Sequence, residues 1–108
     1  MSLIWREIIC LGDSLTYGAR DEYGRSYPHE LSRLMELETS EAWFCHNYGI
    51  NGETTSDLVR RSWRILLSHP KCNIVNLLIG TNDIKIPTPL KYFESNIRHL
   101  LSMCKAQN

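Results

Sequence analysis

Three short apolar runs occur along the chain, each followed by a segment of turn-forming residues. They cover residues 4–11, 43–48 and 73–79. The end of the first run and most of the third are Ile, Val, Leu or Cys, a pattern typical of strands covered on both faces. The middle run carries aromatic residues and a cysteine, which also favour a strand. The sequence therefore predicts three largely buried β-strands.

Apolar residues recur at helical spacing between and after these runs. The predicted helices cover residues 26–38, 54–69 and 90–104, and capping residues precede the first two. In the first helix, a stripe of Tyr27, Leu31, Leu34 and Met35 is expected to face the sheet. The second helix is indicated by helical intervals between Leu58, Ser62, Ile65 and Leu66. The third carries an amphipathic stripe of Leu90, Phe93, Ile97, Leu100, Leu101 and Cys104.

Strand and helix alternate regularly, which predicts one α/β domain with a parallel sheet and right-handed crossovers. Three arginines of the second helix, Arg60, Arg61 and Arg64, are expected on its solvent-exposed face. All three predicted strands would then end at the same edge of the sheet.

Composition narrows the classes of function. Lys plus Arg and Asp plus Glu are both 12, so no net field favours nucleic acid or an anionic membrane. The apolar runs are shorter than the roughly 20 residues of a transmembrane helix. We see no signal peptide and expect a cytoplasmic protein. The four cysteines lack metal-ligand spacing and are expected to be free thiols.

Candidate chemistry lies in the turns that follow the strands. A nucleophilic serine needs rigid support and open access, and Ser14 follows the first strand directly. Gly52 and Asn82 follow the other two strands and offer a backbone N–H and a side-chain amide as donors for an oxyanion. The three turns are residues 12–15 (GDSL), 47–52 (NYGING) and 80–83 (GTND).

In order and spacing, these turns resemble the first three motif blocks of the SGNH (GDSL) hydrolase family. The resemblance implies a three-layer, flavodoxin-like parallel sheet, the SGNH hydrolase fold, and an esterase or acylhydrolase activity without metal or cofactor. It implies Ser14 as nucleophile, with an oxyanion hole formed by the N–H groups of Ser14 and Gly52 and the amide of Asn82. Asp13 and Asp83 match motif positions that hold the loops.

The family's fourth block, Asp-x-x-His, supplies the general base and does not occur in this sequence. His99 has an asparagine three residues earlier, but it follows the GTND turn too closely and belongs to the third helix. His46 is expected to be a core or edge residue of the second strand, and His29 and His69 are expected at the surface. The general base is therefore unassigned, and we expect residues 1–108 to form a single incomplete domain.

Three functions are compatible with these residues. The first is a serine ester hydrolase for acyl esters, thioesters, acetylated sugars or lysophospholipids, inactive or weak without a base. The second is a non-catalytic or split domain that binds small ligands or needs a second polypeptide. The third, a nucleotide or phosphate binder, is disfavoured because neither G-x-G-x-x-G nor a P-loop is present.

The expected position of the third strand bears on assembly. In a sheet of order 2-1-3-4-5 this strand is interior. In a fold truncated after the third strand and third helix it becomes an edge with unpaired backbone groups. We therefore expect self-association through the third strand or third helix.

Overall fold

A computed structural model describes residues 5–19 and 26–106. Its centre is a three-stranded sheet of β1 (Trp5–Gly12), β2 (Ala42–Gly49) and β3 (Ile74–Leu78). The strand order is β2-β1-β3, and both pairings are parallel. The parallel α/β prediction is therefore confirmed, with β1 in the middle because its near-continuous apolar run is buried on both faces.

Within residues 5–19 and 26–106, five helices accompany the sheet. They are α1 (Ser14–Tyr17), α2 (Tyr27–Thr39), α3 (Thr55–Ser68), α4 (Thr81–Lys85) and α5 (Leu90–Ala106). The three long helices match the predicted ones, whereas α1 and α4 were expected as plain turns. A helix of one turn is too short to show an apolar period, so the pattern could not reveal it. In the described part of the chain, no helix is long and apolar enough to cross a membrane.

Two apolar clusters cover the two faces of the sheet and create three layers. On one face, α3 and α5 pack over the strands, and the buried residues of this cluster are Ile9, Leu11, Leu58, Ile65, Leu66 and Leu100. On the other face, α2 packs through Tyr27, Leu31 and Met35 against Ile8, Cys10 and Trp43. This arrangement fixes β1 between two helical layers.

Some residues of the predicted stripes are exposed, so those parts of the prediction are wrong. Leu34 is 48% exposed, because α2 contacts the sheet through positions spaced by four residues and Leu34 lies beside that line. On α5, Leu100 is buried, but Leu90 and Leu101 are 79% and 50% exposed. These two side chains therefore stay largely open to solvent, and Leu101 lines a surface depression together with Leu66 of α3.

Strand β3 forms one edge of the sheet, and β2 forms the other. On the face that α2 covers, α2 packs over β1 and β2, and the neighbouring side chains of β3 stay open to solvent. Ile74 is 41% exposed and Leu78 is 46% exposed. An apolar edge strand with unpaired backbone groups is a template for pairing with another chain.

We propose that the chain associates with itself through this edge. Ile74→Lys should weaken self-association about tenfold, or about 1.4 kcal/mol, because pairing would bring a charged side chain against the apolar edge. The matched control is Leu37→Lys, where Leu37 is 67% exposed on α2, a helix that packs over β1 and β2. Sedimentation velocity over a concentration series gives the self-association constants of the parent chain and of both variants. A monomeric parent chain at high concentration, or equal effects of the two variants, contradicts the proposal.

Candidate active site

The three strands end level with one another at one edge of the sheet. Gly12 at the end of β1 is paired with Gly49 at the end of β2 and with Leu78 at the end of β3. The loops that follow therefore start from adjacent points, and a backbone hydrogen bond of 3.2 Å joins Ile50 N to Gly12 O. The topology thus brings the three predicted turns to the same side of the molecule.

Ser14 is the first residue of α1, directly after the central strand. Asp13 caps this helix: its carboxylate accepts the Leu15 N–H at 3.0 Å, and its side chain is 1% exposed. Ser14 itself is half-buried. Because the first N–H groups of a helix have no acceptor within it, the Ser14 N–H can point outward. The turn therefore presents a hydroxyl and a backbone donor from one residue.

Two glycines let this turn pack directly on the sheet. A Cβ atom on Gly49 would collide with the Tyr17 N and would lie 2.8 Å from Asp13 O. A Cβ atom on Gly12 would collide with the Thr16 side chain and would lie 2.6 Å from Leu78 O. Backbone atoms cannot yield as a flexible side chain can. The two positions therefore leave no room for any side chain.

Gly52 occupies a different environment in the loop between β2 and α3. Its φ is +80°, a left-handed conformation that glycine adopts without strain. A Cβ atom there would meet nothing within 4 Å. The loop backbone at Gly52 is thus open to a molecule placed beside it.

The start of α3 is held by a capping box, which fixes where the Gly52 loop ends. Thr54 N donates to the Asp57 carboxylate at 3.0 Å, and the Asp57 N–H is accepted by Thr54 Oγ1. This hydrogen bond from the Thr54 backbone holds the pKa of Asp57 below its ordinary value. The carboxylate is therefore charged at neutral pH. Its negative charge interacts favourably with the positive N-terminal end of the α3 dipole.

The amide of Asn82 connects the third turn to the second. Asn82 Nδ2 donates to Glu53 O at 3.0 Å, one residue after Gly52. An amide nitrogen carries two hydrogens, so one is left for another acceptor. The side chain is therefore held in one orientation beside the Gly52 loop.

Asp83 makes a second connection between the same loops. Its carboxylate is 5% exposed and accepts Thr55 N at 3.0 Å and Thr55 Oγ1 at 2.8 Å. Asn96 of α5 donates to Thr55 Oγ1 at 3.0 Å. The starts of α3 and α4 and the middle of α5 are thereby tied together, and neither Thr55 nor Asn96 belongs to a sequence motif that could have indicated it.

Arg61 contradicts the expectation that it lies on the solvent-exposed face of α3. Its side chain is 20% exposed and forms an ion pair with Glu53, with Nε 2.8 Å from Oε2. Its Nη2 donates to Tyr48 O at 2.7 Å and to Gly12 O at 3.2 Å. The guanidinium fork therefore joins the ends of β1 and β2 to the loop that carries Gly52.

The histidines are engaged elsewhere or exposed. His46 Nε2 lies 3.0 Å from a Glu7 carboxylate oxygen, near the start of β1. His69 was expected at the surface, but its side chain is only 14% exposed, and its Nε2 lies 2.6 Å from the Tyr48 hydroxyl. His29 on α2 and His99 on α5 are exposed. Within residues 5–19 and 26–106, no histidine forms a hydrogen bond with Ser14.

The cysteines do not compete with Ser14 as nucleophiles. Burial raises the pKa of all four thiols, and it raises the pKa of Cys45 to about 11. The thiolate is the reactive form of cysteine, so these groups are protonated and inert near neutral pH. Ser14, directly after the central strand, therefore remains the predicted nucleophile.

Comparisons with known protein families and solved structures point to the same family. The model of the GDSL-like lipase/acylhydrolase family matches residues 10–108. Among solved structures, AlinE4, an SGNH-hydrolase family esterase, is 25% identical with a TM-score of 0.87, and the match covers 100% of this chain and 57% of AlinE4. The psychrotrophic esterase EstA from Pseudoalteromonas sp. is 23% identical with a TM-score of 0.80, covering 95% of this chain and 55% of EstA.

A carbohydrate acetylesterase family member from Sinorhizobium meliloti is 20% identical with a TM-score of 0.73, covering 91% of this chain and 53% of that protein. This chain thus spans somewhat more than half the length of these structures. A search of curated proteins found no match.

Three substitutions at two glycines separate the steric cost of a new side chain from the conformational cost of a positive φ. Gly49→Ala should lower the free energy of unfolding by about 2 kcal/mol, because the new methyl group collides with backbone of the Ser14 turn. Gly52→Ala should lower it by about 1 kcal/mol, because only the positive φ is strained. Gly52→Asn should lose less, since asparagine tolerates this conformation. Urea denaturation measures all three, and equal losses at Gly49 and Gly52 would contradict the tight contact.

Removal of the Arg61 side chain should destabilise the fold, because its ion pair with Glu53 is partly buried. Arg61→Met should reduce the free energy of unfolding by about 2 kcal/mol, because the Glu53 carboxylate, with a side chain 13% exposed, keeps its charge without a partner. Adding Glu53→Gln should restore part of this loss. The control is Arg98→Met, whose pair with Glu94 is 77% and 60% exposed and should contribute about 0.5 kcal/mol or less. Denaturation curves showing equal costs for the two arginines would refute the role assigned to Arg61.

Proposed function

Because the chain belongs to the GDSL-like lipase/acylhydrolase family, we propose that it provides the nucleophile and the oxyanion hole of a serine ester hydrolase. The substrates proposed are acyl esters, thioesters or acetylated sugars. The observation that carries the proposal is the set of hydrogen bonds joining the three loops, above all the one from Asn82 Nδ2 to Glu53 O beside Gly52.

The proposed reaction is a two-step acyl transfer. Ser14 Oγ attacks the ester carbonyl carbon, and the carbonyl oxygen becomes an oxyanion. The N–H groups of Ser14 and Gly52 and the second amide hydrogen of Asn82 donate to that oxygen. Collapse of the tetrahedral intermediate expels the alcohol and leaves an acyl-serine. Water then attacks the acyl-serine, which releases the acid and restores the hydroxyl.

Each proposed donor has structural support. Ser14 begins α1, so its N–H lies where a helix has no internal acceptor. Gly52 combines a φ of +80° with open space beside its Cα. Asn82 is anchored by one amide hydrogen and keeps the other. Donors held in this way lose little free energy to reorganisation when the oxyanion forms.

We further propose that this 108-residue chain turns over slowly by itself. The attack requires removal of the Ser14 proton, and no described histidine is hydrogen-bonded to Ser14. In another serine hydrolase, removal of the base lowers turnover about a millionfold, or roughly 8 kcal/mol. An oxyanion hole alone retains only a small acceleration over water.

A second candidate is a non-catalytic or split domain, in which another polypeptide supplies the base or the pocket is used only for binding. Two observations favour it. The sequence contains no Asp-x-x-His, and the two part-buried histidines, His46 and His69, are bonded to Glu7 and Tyr48. Both candidates share the same oxyanion site and differ in whether Ser14 is activated within this chain.

A fluorophosphonate probe and p-nitrophenyl acetate test these proposals. We expect hydrolysis close to the background rate and slow labelling that Ser14→Ala removes, because the hydroxyl is positioned without a base. His99→Ala and His46→Ala should leave the slow labelling unchanged.

Labelling that persists in Ser14→Ala would refute Ser14 as the nucleophile. Turnover typical of an active esterase, abolished by either histidine variant, would refute the missing base. No labelling at all, with the fold intact by circular dichroism, would favour the binding domain.

A further inference from the structure

A second polar cluster lies far from Ser14, on the face of the sheet that α3 covers. It consists of Glu7 on β1, His46 on β2 and His69 at the end of α3. Glu7 is five positions before Gly12, which corresponds to about 17 Å along an extended strand. The cluster is therefore separate from the proposed esterase site.

Each member is attached to a well-fixed element. Glu7 lies in the central strand, where its N–H donates to Asn73 Oδ1 at 3.0 Å and its C=O accepts Asn73 N at 3.0 Å. His46 lies in β2, opposite Ile9 in the parallel ladder. His69 caps α3, with its N–H bonded to Leu66 O at 3.2 Å. Side chains mounted on such elements are positioned more firmly than side chains of a loop.

The three ligand atoms converge. Glu7 Oε1 lies 3.0 Å from His46 Nε2 and 3.6 Å from His69 Nδ1. All three atoms lie within 4.8 Å of one another. A tetrahedral zinc ion with bonds of about 2.0 to 2.2 Å separates its ligand atoms by about 3.3 Å. The two distances from Glu7 bracket that value, so the carboxylate already lies at ligand spacing from each imidazole.

We propose that Glu7, His46 and His69 form a binding site for a divalent transition-metal ion, with Zn²⁺ as the ion that best fits two imidazoles and one carboxylate. A water molecule completes four ligands. The side chains of His46, Glu7 and His69 are 30%, 26% and 14% exposed, so water and the ion can reach them. The ion would join β1, β2 and the end of α3.

Tyr48 orients one of the ligands. Its hydroxyl lies 2.6 Å from His69 Nε2, on the far side of the ring from Glu7. When His69 Nδ1 gives its lone pair to the ion, the proton resides on Nε2 and is donated to the Tyr48 oxygen. Metal-bound histidines commonly make such a bond, which fixes the tautomer and the direction of the ring. Tyr48 is therefore a positioning residue for the proposed site.

The same residues have an alternative role as a polar network without metal. In that case His46 Nε2–H donates to Glu7, and the cluster only satisfies half-buried polar groups. Free thiols offer a second alternative, because Cys72 and Cys104 line a surface depression of about 260 Å³ together with His69. The experiment has to separate both alternatives from the proposed site.

Isothermal titration with Zn²⁺ on the 108-residue chain should show one ion bound per chain. His46→Ala and Glu7→Gln should abolish this binding, whereas His99→Ala and Cys72→Ser should retain it. Ser14→Ala should also retain it, since the two sites are separate. Binding lost in Cys72→Ser, or unchanged in either His46→Ala or Glu7→Gln, overturns the proposal, as does the absence of one-to-one binding in the parent chain.

Two further measurements guard against variants that fail to fold. Tyr48→Phe leaves all three ligands in place and should weaken Zn²⁺ binding about 10- to 100-fold. Co²⁺ in place of Zn²⁺ should give visible bands without a thiolate charge-transfer band in the near ultraviolet. A thiolate band, or an unchanged affinity in Tyr48→Phe with circular dichroism like that of the parent chain, also overturns it.

Discussion

Direct backbone-to-backbone contact at the carboxyl-terminal ends of the strands is the constraint on which the site depends. The turn after β1 lies against the end of β2 with no side chain between them, because Gly49 faces Tyr17 N and Asp13 O. This contact places Ser14 within reach of the loop that follows β2. Arg61 then secures the arrangement by donating to carbonyl oxygens at the ends of both strands. A rigid edge of this kind can hold the proposed nucleophile and its proposed donors in fixed positions.

The sheet and the long helices could be predicted because they depend on apolar periodicity, which is written locally in the sequence. The middle position of β1 follows from the same information, since its unbroken apolar run requires cover on both faces. Leu34 and Arg61 were misplaced for a different reason. Whether a residue beside an apolar stripe is buried depends on which strands the helix reaches, and that is set by the tertiary arrangement. Helices α1 and α4 were missed because one turn carries no period.

The candidate site, too, could be predicted from the sequence only in part. Ser14, Gly52 and Asn82 could be proposed from motif order and from the rule that parallel strands end at one edge. The groups that hold these loops could not, because Glu53 acts through its backbone oxygen and Thr55 pairs with an aspartate 28 residues away. Pairings of this kind leave no spacing signature. The cluster of Glu7, His46 and His69 was missed likewise, since its members lie on three separate elements.

The placement of Cys10 has a consequence for how the molecule can be followed in solution. Its side chain is 0% exposed in the central strand, and burial raises the pKa of its thiol. A disulfide reagent can reach that sulfur only after the helical layer or a neighbouring strand has separated from β1. With the three partly buried cysteines replaced by serine, the rate of thiol–disulfide exchange at Cys10 measures the free energy of opening the sheet, as long as reclosing is faster than the reaction.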